Sequence, residues 1–530
     1  MWTSTIDLDL KRVALTRLLG RVWPDAYFSS FAPLRVQNIV RASLAGANWV
    51  RVRNRLAGIC GSDLHFVYSN GDLRIAPAAL PGSRRLYPGH ELLGEVIEVG
   101  EDVRHLNVGD RVALQYGPNC VSAGLLPLCH ACASSQFALC ERGAFPEPQQ
   151  IGGGWSEEVL LHEGRLYRVA SGVSDEQAVM IEPTAVALHA ILRHPPQAGE
   201  RVLIVGAGTI GLLTLHMLRT LFPQAEVSVL ARHPFQIEQA TRMGARHIIY
   251  PQDSYGGVQR ATQARLYRGL LGNNMLMGGY DVIFDTVGRQ QTLHHALRWA
   301  KARGTVVLVG LDLRFMRIDL SPIWYREVNL IGTFAHGSEC WSSSGVERPR
   351  STFSLVEDLI IQGKIHPEQL ITHRFAINHH REALQTAHNK GQSRAIKVVF
   401  DYSLVPATVV PNVRASARKP RPSTRVPLTF DDITWEEDAF PPERQKSPVS
   451  ADPSRLEEAE TQPIAASPAP VRPVEMGHAE LEIEKPMNQP VQPQLHEEET
   501  APLVSQVVTT QQEREQQNEE DSVPEQDAES

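Results

Sequence analysis

The chain has 530 residues, 42% hydrophobic and 21% charged, a soluble globular composition too long for one ordinary core. Its net charge of −8 conceals two unlike parts. Residues 411–530 hold 17 of the 36 prolines, 1 of the 38 glycines, 11 Lys+Arg and 25 Asp+Glu, which leaves positions 1–410 near +6. No apolar run is long enough to span a bilayer, no basic block marks a nucleic-acid footprint, and the N-terminus has no secretory h-region. Neither a membrane nor a nucleic-acid partner is therefore expected, and the cytoplasm is the default compartment.

Short β-like runs punctuated by glycine fill the first 185 or so residues, among them HELLGEVIEVG (90–100) and RVALQYG (111–117). They predict an all-β, barrel-like unit. Within it, Gly58-Ile59-Cys60-Gly61-Ser62-Asp63-Leu64-His65 is followed by Tyr87-Pro88-Gly89-His90-Glu91. A thiolate, an imidazole and a carboxylate from separate segments, with one position left open, describe a catalytic zinc site. Glu182, in Ile181-Glu182-Pro183-Thr184, is a further candidate oxygen ligand. Four of the six cysteines, Cys120, Cys129, Cys132 and Cys140, are separated by eight, two and seven residues. A disulfide framework is a poor reading of so few cysteines in a long chain. The central C-x-x-C lets two thiolates reach one tetrahedral ion, and the flanking pair completes a closed, structural zinc site. The bland alternative is four unrelated buried thiols.

From about residue 200 the pattern becomes strand, helix, strand, helix. RVLIV (201–205) runs into Gly206-Ala207-Gly208-Thr209-Ile210-Gly211 and a helical stretch to Thr220. Glycines there permit a tight turn, the approach of a pyrophosphate and close helix–strand packing, so the motif predicts dinucleotide binding. The second strand ends in Leu230, Ala231 and Arg232, with no acid before Glu238. A small residue followed by an arginine suits a 2′-phosphate better than a bare ribose, so NADP is favoured over NAD. The bland alternative is a surface arginine. Six apolar strands alternating with helices imply a doubly wound parallel sheet. A helix at 353–362 and a closing strand at KVVFDY follow. His189, His216, His379 and His380 read as structural or surface residues. The chain from 404 onward predicts a disordered tail, whose best linear motif is DDITWEEDAFPPE, with Trp435 and Phe440 among acids.

These motifs, together with GGGWSEEV, IEPTAVALHA and the segment YPGHELLGEVIEVGEDVRHLNVGDRV, resemble the zinc-dependent medium-chain dehydrogenase/reductase family over residues 35–403. The resemblance implies an α/β protein: a GroES-like β-barrel catalytic domain (1–184 and, on the chain's return, 335–403) around a Rossmann domain (185–334); composition adds the disordered, acidic, Pro-rich tail at 404–530. It implies that Cys60 and His90 ligate the catalytic zinc, with Glu91 or Glu182, or both in turn, supplying oxygen. Ser62 and His65 take the proton-relay positions, and Asp63 orients a ligand. Four features depart from the family. The first cysteine gap is six residues too long, which makes Cys120 the least secure ligand. The stretch 66–86 is long, the first 30 or so residues have no counterpart, and the tail is foreign. The expected protein is an NADP-preferring alcohol, polyol or sugar oxidoreductase carrying one catalytic and one structural zinc, in a homodimer or homotetramer. A zinc-free quinone or enoyl reductase is disfavoured by the Cys60/His90 pair. The competing reading from another class is a scaffold whose dehydrogenase-like body recruits an unknown partner through the tail.

Overall fold

The computed structural model describes residues 1–76, 79, 85–143, 150–341 and 349–404. The expected tail beyond Leu404, with its candidate motif at Trp435 and Phe440, lies outside the described residues. So does part of the long stretch between Cys60 and His90.

The strand Trp49–Gly58 organises the first sheet. It pairs antiparallel with Leu92–Val99, Glu158–His162 and Lys397–Asp401, while Arg111–Leu114, Leu166–Arg168 and Ile371–Phe375 extend the sheet outward. Val50 and Val52 point into the core with Val96, Val112, Val159, Leu161 and Phe400. Between them Arg51 is buried, its guanidinium held by Glu98 at 2.6 Å and Glu158 at 3.3 Å. Trp155 closes one end of this core, donating its indole N–H to the Gly58 carbonyl at 3.2 Å. The last strand arrives from far along the chain, which is the return that the family resemblance implies.

Six parallel strands form the second sheet. Their order is His247–Ile249, Glu226–Leu230, Arg201–Val205, Tyr280–Asp285, Ala300–Leu308 and Asn329–Gly332. The chain runs outward from the central Arg201–Val205 to one edge, then crosses back to build the other half, as the doubly wound reading requires. Val202, Leu203, Ile204 and Val205 are fully buried, because a parallel sheet is covered by helices on both faces. An antiparallel hairpin, Arg265–Arg268 with Asn274–Met277, precedes the fourth strand and was not foreseen. The helix Ile181–Arg193 packs against both Thr209–Leu221 and Thr352–Ile361, so one continuous core joins the two sheets.

The N-terminal residues without a counterpart form a small sheet of their own. Trp2–Asp7 pairs antiparallel with Leu34–Asn38 and with Arg85–Leu86. Its hydroxyl residues are buried against the barrel, with Thr3 Oγ1 2.6 Å from Ser156 Oγ and the Ser4 N–H donating to the Trp155 carbonyl. The helix Leu10–Leu19 is capped by Asp9, whose carboxylate accepts from the N–H groups of Lys11 and Arg12. Among the described residues no helix is long and apolar enough to cross a membrane.

Candidate active site and metal centres

Cys60 leaves the end of the barrel strand and stands at the N-cap of the short helix Gly61–Val67. Asp63 in that helix folds back to accept from the Cys60 N–H at 3.2 Å and from the Gly89 N–H at 3.4 Å. The same carboxylate lies 3.5 Å from His90 Nδ1, so it locks together the two segments that the sequence brings from 27 to 30 positions apart and leaves Nε2 for another partner. Ligand atoms of Cys60, His90 and Glu91 fall within 4.8 Å of one another. Burial opposes protonation of the His90 ring, but Asp63 and Cys60 more than offset it and hold its pKa above the ordinary histidine value.

Glu91 has a partner that sequence reasoning missed. Lys397, on the returning strand Lys397–Asp401, donates to both Glu91 oxygens at 2.7 and 2.5 Å, and both side chains are almost completely buried. Gly58 makes room for them: a Cβ there would stand 1.9 Å from Glu91 Oε2. Glu182 is outside the 4.8 Å group, on the buried face of the helix Ile181–Arg193. It is near enough that His90, Glu91, Lys397 and Asp63 all act on its charge. Burial, the largest cause, pushes its pKa up to about 7.

Ser62 and His65 sit on the helix that Cys60 begins, Ser62 half-buried and two residues after the cysteine. His65 faces the loop after the fifth parallel strand, with Leu311, Asp312 and Arg314 around it. Burial lowers its pKa, Asp312 and the Leu311 carbonyl oppose that, and Arg314 and Arg289 add to it, so the balance favours the uncharged ring. Its Nδ1 is shielded and has no hydrogen-bond partner among the described residues. Beyond it, Tyr68 stacks on His388 at 3.9 Å and meets Tyr27 of the N-terminal segment at 5.0 Å.

The sulfurs of Cys120, Cys129, Cys132 and Cys140 lie within 4.8 Å of one another, and none is in a disulfide. Cys120 is brought in despite its long gap. The Asn119 side chain accepts from the N–H groups of Val121 and Ser122, and the Leu125 N–H returns to the Cys120 carbonyl, so the inserted residues close as a compact turn. Burial disfavours the Cys129 thiolate, but N–H groups of Cys132 and Glu141 outweigh it and bring the pKa down to about 6. Burial pushes Cys132 and Cys140 up. Four gathered thiols that are not oxidised, one of them already inclined to ionise, fit a tetrahedral zinc.

At the glycine motif the three positions do different work. Gly206 takes φ +101°, and a Cβ on Gly211 would stand 1.9 Å from the Gly206 carbonyl oxygen. Gly208 faces open space in front of the N-terminus of the 13-residue helix Thr209–Leu221. Two tight glycines and one open one fit a pyrophosphate at that end of the helix. Ala231 is buried, while Arg232 is exposed and has no hydrogen bond or ion pair among the described residues. His233 beside it stacks on Phe235.

Comparison with known proteins agrees with this geometry. Residues 46–171 match the alcohol dehydrogenase GroES-like domain, and residues 209–347 match the zinc-binding dehydrogenase domain. The chain is 30% identical over 378 residues to a sorbitol dehydrogenase of Arabidopsis thaliana, covering 71% of this chain and 94% of that protein. An L-idonate 5-dehydrogenase of Vitis vinifera is 31% identical with the same coverage. Among solved structures, 2R,3R-butanediol dehydrogenase from Bacillus subtilis superposes with a TM-score of 0.52 at 25% identity, over 69% of this chain and 96% of that one. The fold and site thus define a zinc-dependent alcohol and polyol oxidoreductase that uses a nicotinamide cofactor. The chain belongs to the zinc-dependent medium-chain dehydrogenase/reductase family. The scaffold alternative draws no support from these relatives.

Proposed function

We propose that the protein oxidises a hydroxyl of a polyol, or reduces the matching carbonyl, with NADP preferred to NAD. The observation that carries this reading is the buried carboxylate Glu182, near enough to His90 for its charge to be felt, with Glu91 already taken by Lys397. Cys60, His90 and Glu182 are the proposed ligands of the catalytic zinc, and Glu91 is a positioning residue behind His90. The kinship with sorbitol and L-idonate dehydrogenases supports a polyhydroxylated substrate. When bound, zinc would supply Lewis acidity towards the alcohol oxygen, and the nicotinamide the acceptor for the hydride. Ser62 Oγ receives the proton of the substrate hydroxyl, and His65, kept neutral by burial, takes it on towards solvent. Steady-state rates with a panel of alcohols, polyols and sugars, each with NAD and NADP, test the proposal. Turnover confined to simple monohydroxy alcohols would overturn it.

The cysteine quartet is the proposed structural zinc site, giving two zinc ions per chain. Cys132→Ala is expected to lower zinc from two to one, reduce stability on the order of several kcal/mol and leave kcat little changed. Metal analysis giving one zinc in well-folded wild-type protein would refute the four-cysteine assignment.

Arg232 is the proposed contact to the 2′-phosphate, and Ala231 leaves no carboxylate to repel it. A charge-assisted hydrogen bond of about 1.5–3 kcal/mol corresponds to roughly tenfold to one-hundredfold in kcat/KM. Ala231→Asp combined with Arg232→Ala is therefore expected to reverse the preference towards NAD without changing zinc content. A wild type that uses NAD better than NADP would assign Arg232 to the surface alone.

A cytoplasmic location and a homodimer or homotetramer complete the proposal. The outer strand Asn329–Gly332 pairs on one side only among the described residues, and Trp324, Tyr325 and Leu330 are exposed near it, which supports self-association. The proposed domain division is 1–184 with 335–403, and 185–334, and a partner for residues 404–530 belongs to the same set of proposals.

A further inference from the structure

The N-terminal helix Leu10–Leu19 turns a leucine row to solvent. Leu10, Ala14 and Leu18 stand four apart and share one side, which Leu15 and, past the helix end, Val22 and Trp23 extend. Leu10, Leu18 and Val22 are 64%, 63% and 85% exposed, and only Thr16 of the helix is buried. Single exposed leucines are ordinary, but a contiguous row marks a surface that something else covers. Next to the row, Lys11, Arg12, Leu15, Ser30 and Phe31 line a hollow of about 320 Å³. The Trp23 ring lies 6.3 Å from that of Phe31, so an aromatic wall adjoins it. The charge here is one-sided: from Leu10 to Pro24 the chain has Lys11, Arg12, Arg17 and Arg21 and no acid. The exposed side chains of Lys11 and Arg21 make no hydrogen bond or ion pair among the described residues.

Two copies of so basic a face repel, whereas an acidic segment with aromatic side chains complements it in charge and in apolar surface. The chain carries such a segment. Asp431–Phe440, DDITWEEDAF, has five acids, no base, and Ile433, Trp435 and Phe440 among them. The described chain also ends beside the N-terminal lobe. Tyr402, two residues before Leu404, donates its hydroxyl to the Gly154 carbonyl at 2.6 Å, and the next carbonyl, of Trp155, accepts from the Ser4 N–H at 3.0 Å. Asp431 lies 27 positions beyond Leu404, and an extended chain covers up to ~3.4 Å per position, so the segment can reach the helix. We propose that Asp431–Phe440 docks on the exposed face of the helix Leu10–Leu19, its acids against Lys11 and Arg21 and an aromatic side chain in the hollow beside Leu15. This names the partner left open for the tail, and it stands apart from the polyol reading. Tethering makes the contact intramolecular, so a weak intrinsic affinity suffices to hold it.

Hydrogen exchange on the full chain tests the contact. In wild type the amides of 431–440 are expected to exchange about tenfold or more slowly than those of a free peptide of the same sequence. Lys11→Glu with Arg21→Glu should remove that protection, and adding Asp432→Lys with Glu436→Lys should restore part of it. Trp435→Ala with Phe440→Ala should also remove it, and these positions lie outside the body, so its melting temperature should hold. Exchange of 431–440 at the free-peptide rate in wild type would overturn the proposal, as would protection that survives both pairs of substitutions. Protection that rises with protein concentration would assign the segment to a second copy and overturn the intrachain contact. Protection of 10–23 that needs phosphatidylserine vesicles, while 431–440 exchanges freely, would make the helix a membrane-surface element and overturn the proposal.

Discussion

Lys397→Met should cost about 3–5 kcal/mol of stability, because it strands the Glu91 carboxylate in a site from which water is almost completely excluded. The penalty comes from the charge left behind. The double variant Lys397→Met with Glu91→Gln should accordingly recover most of the loss, since removing both partners of a buried pair is far milder than removing one. Urea unfolding of the two single variants and the double variant measures this directly. A loss below about 1 kcal/mol in Lys397→Met would mean that Glu91 is neutral or hydrated, and the account of Glu91 as an occupied side chain would fail.

The second large effect belongs to Cys60. Cys60→Ala removes the one thiolate of the proposed catalytic set and is expected to take zinc content from two to one. Turnover should fall by a factor on the order of 10³ or more, since a Lewis acid is worth several kcal/mol at ~1.36 kcal/mol per factor of ten. The cysteine lobe lies on a different segment and should keep its ion, so the melting temperature should change far less than in Cys132→Ala. Two zinc ions retained in a fully inactive Cys60→Ala protein would show that the thiol acts otherwise than as a ligand.

Residues clustered within short motifs were legible without the fold. Cys60, Ser62, Asp63 and His65 share one turn of helix and the strand end before it, and the three glycines of the nucleotide turn do separate jobs that their spacing already implies. Cys120 looked insecure because spacing measures distance along the chain. The Asn119 cap and the return of Leu125 to Cys120 absorb the extra residues in a turn, so the sulfur arrives regardless. Lys397 was invisible for a different reason. It sits in an apolar closing strand, and only the register of that strand against Trp49–Gly58 brings it to Glu91. The N-terminal sheet escaped notice because the consecutive residues Thr3, Ser4 and Thr5 are buried on both faces of its strand and all carry hydroxyls, which leaves little hydrophobic alternation to read.

The pairing of Lys397 with Glu91 also sets a timetable. The two residues stand 306 positions apart, and the parallel sheet from 201 to 332 lies wholly between them. As a ribosome releases the chain, the nucleotide-binding half has all its strands while the barrel still lacks its closing strand, and Glu91 waits without its counter-ion. Domains fold as units in the order they emerge, and contacts between distant residues form late. The barrel that carries Cys60 and His90, the proposed zinc ligands, is thus begun first and closed last, so Glu91 gains its counter-ion only beside a finished nucleotide-binding scaffold.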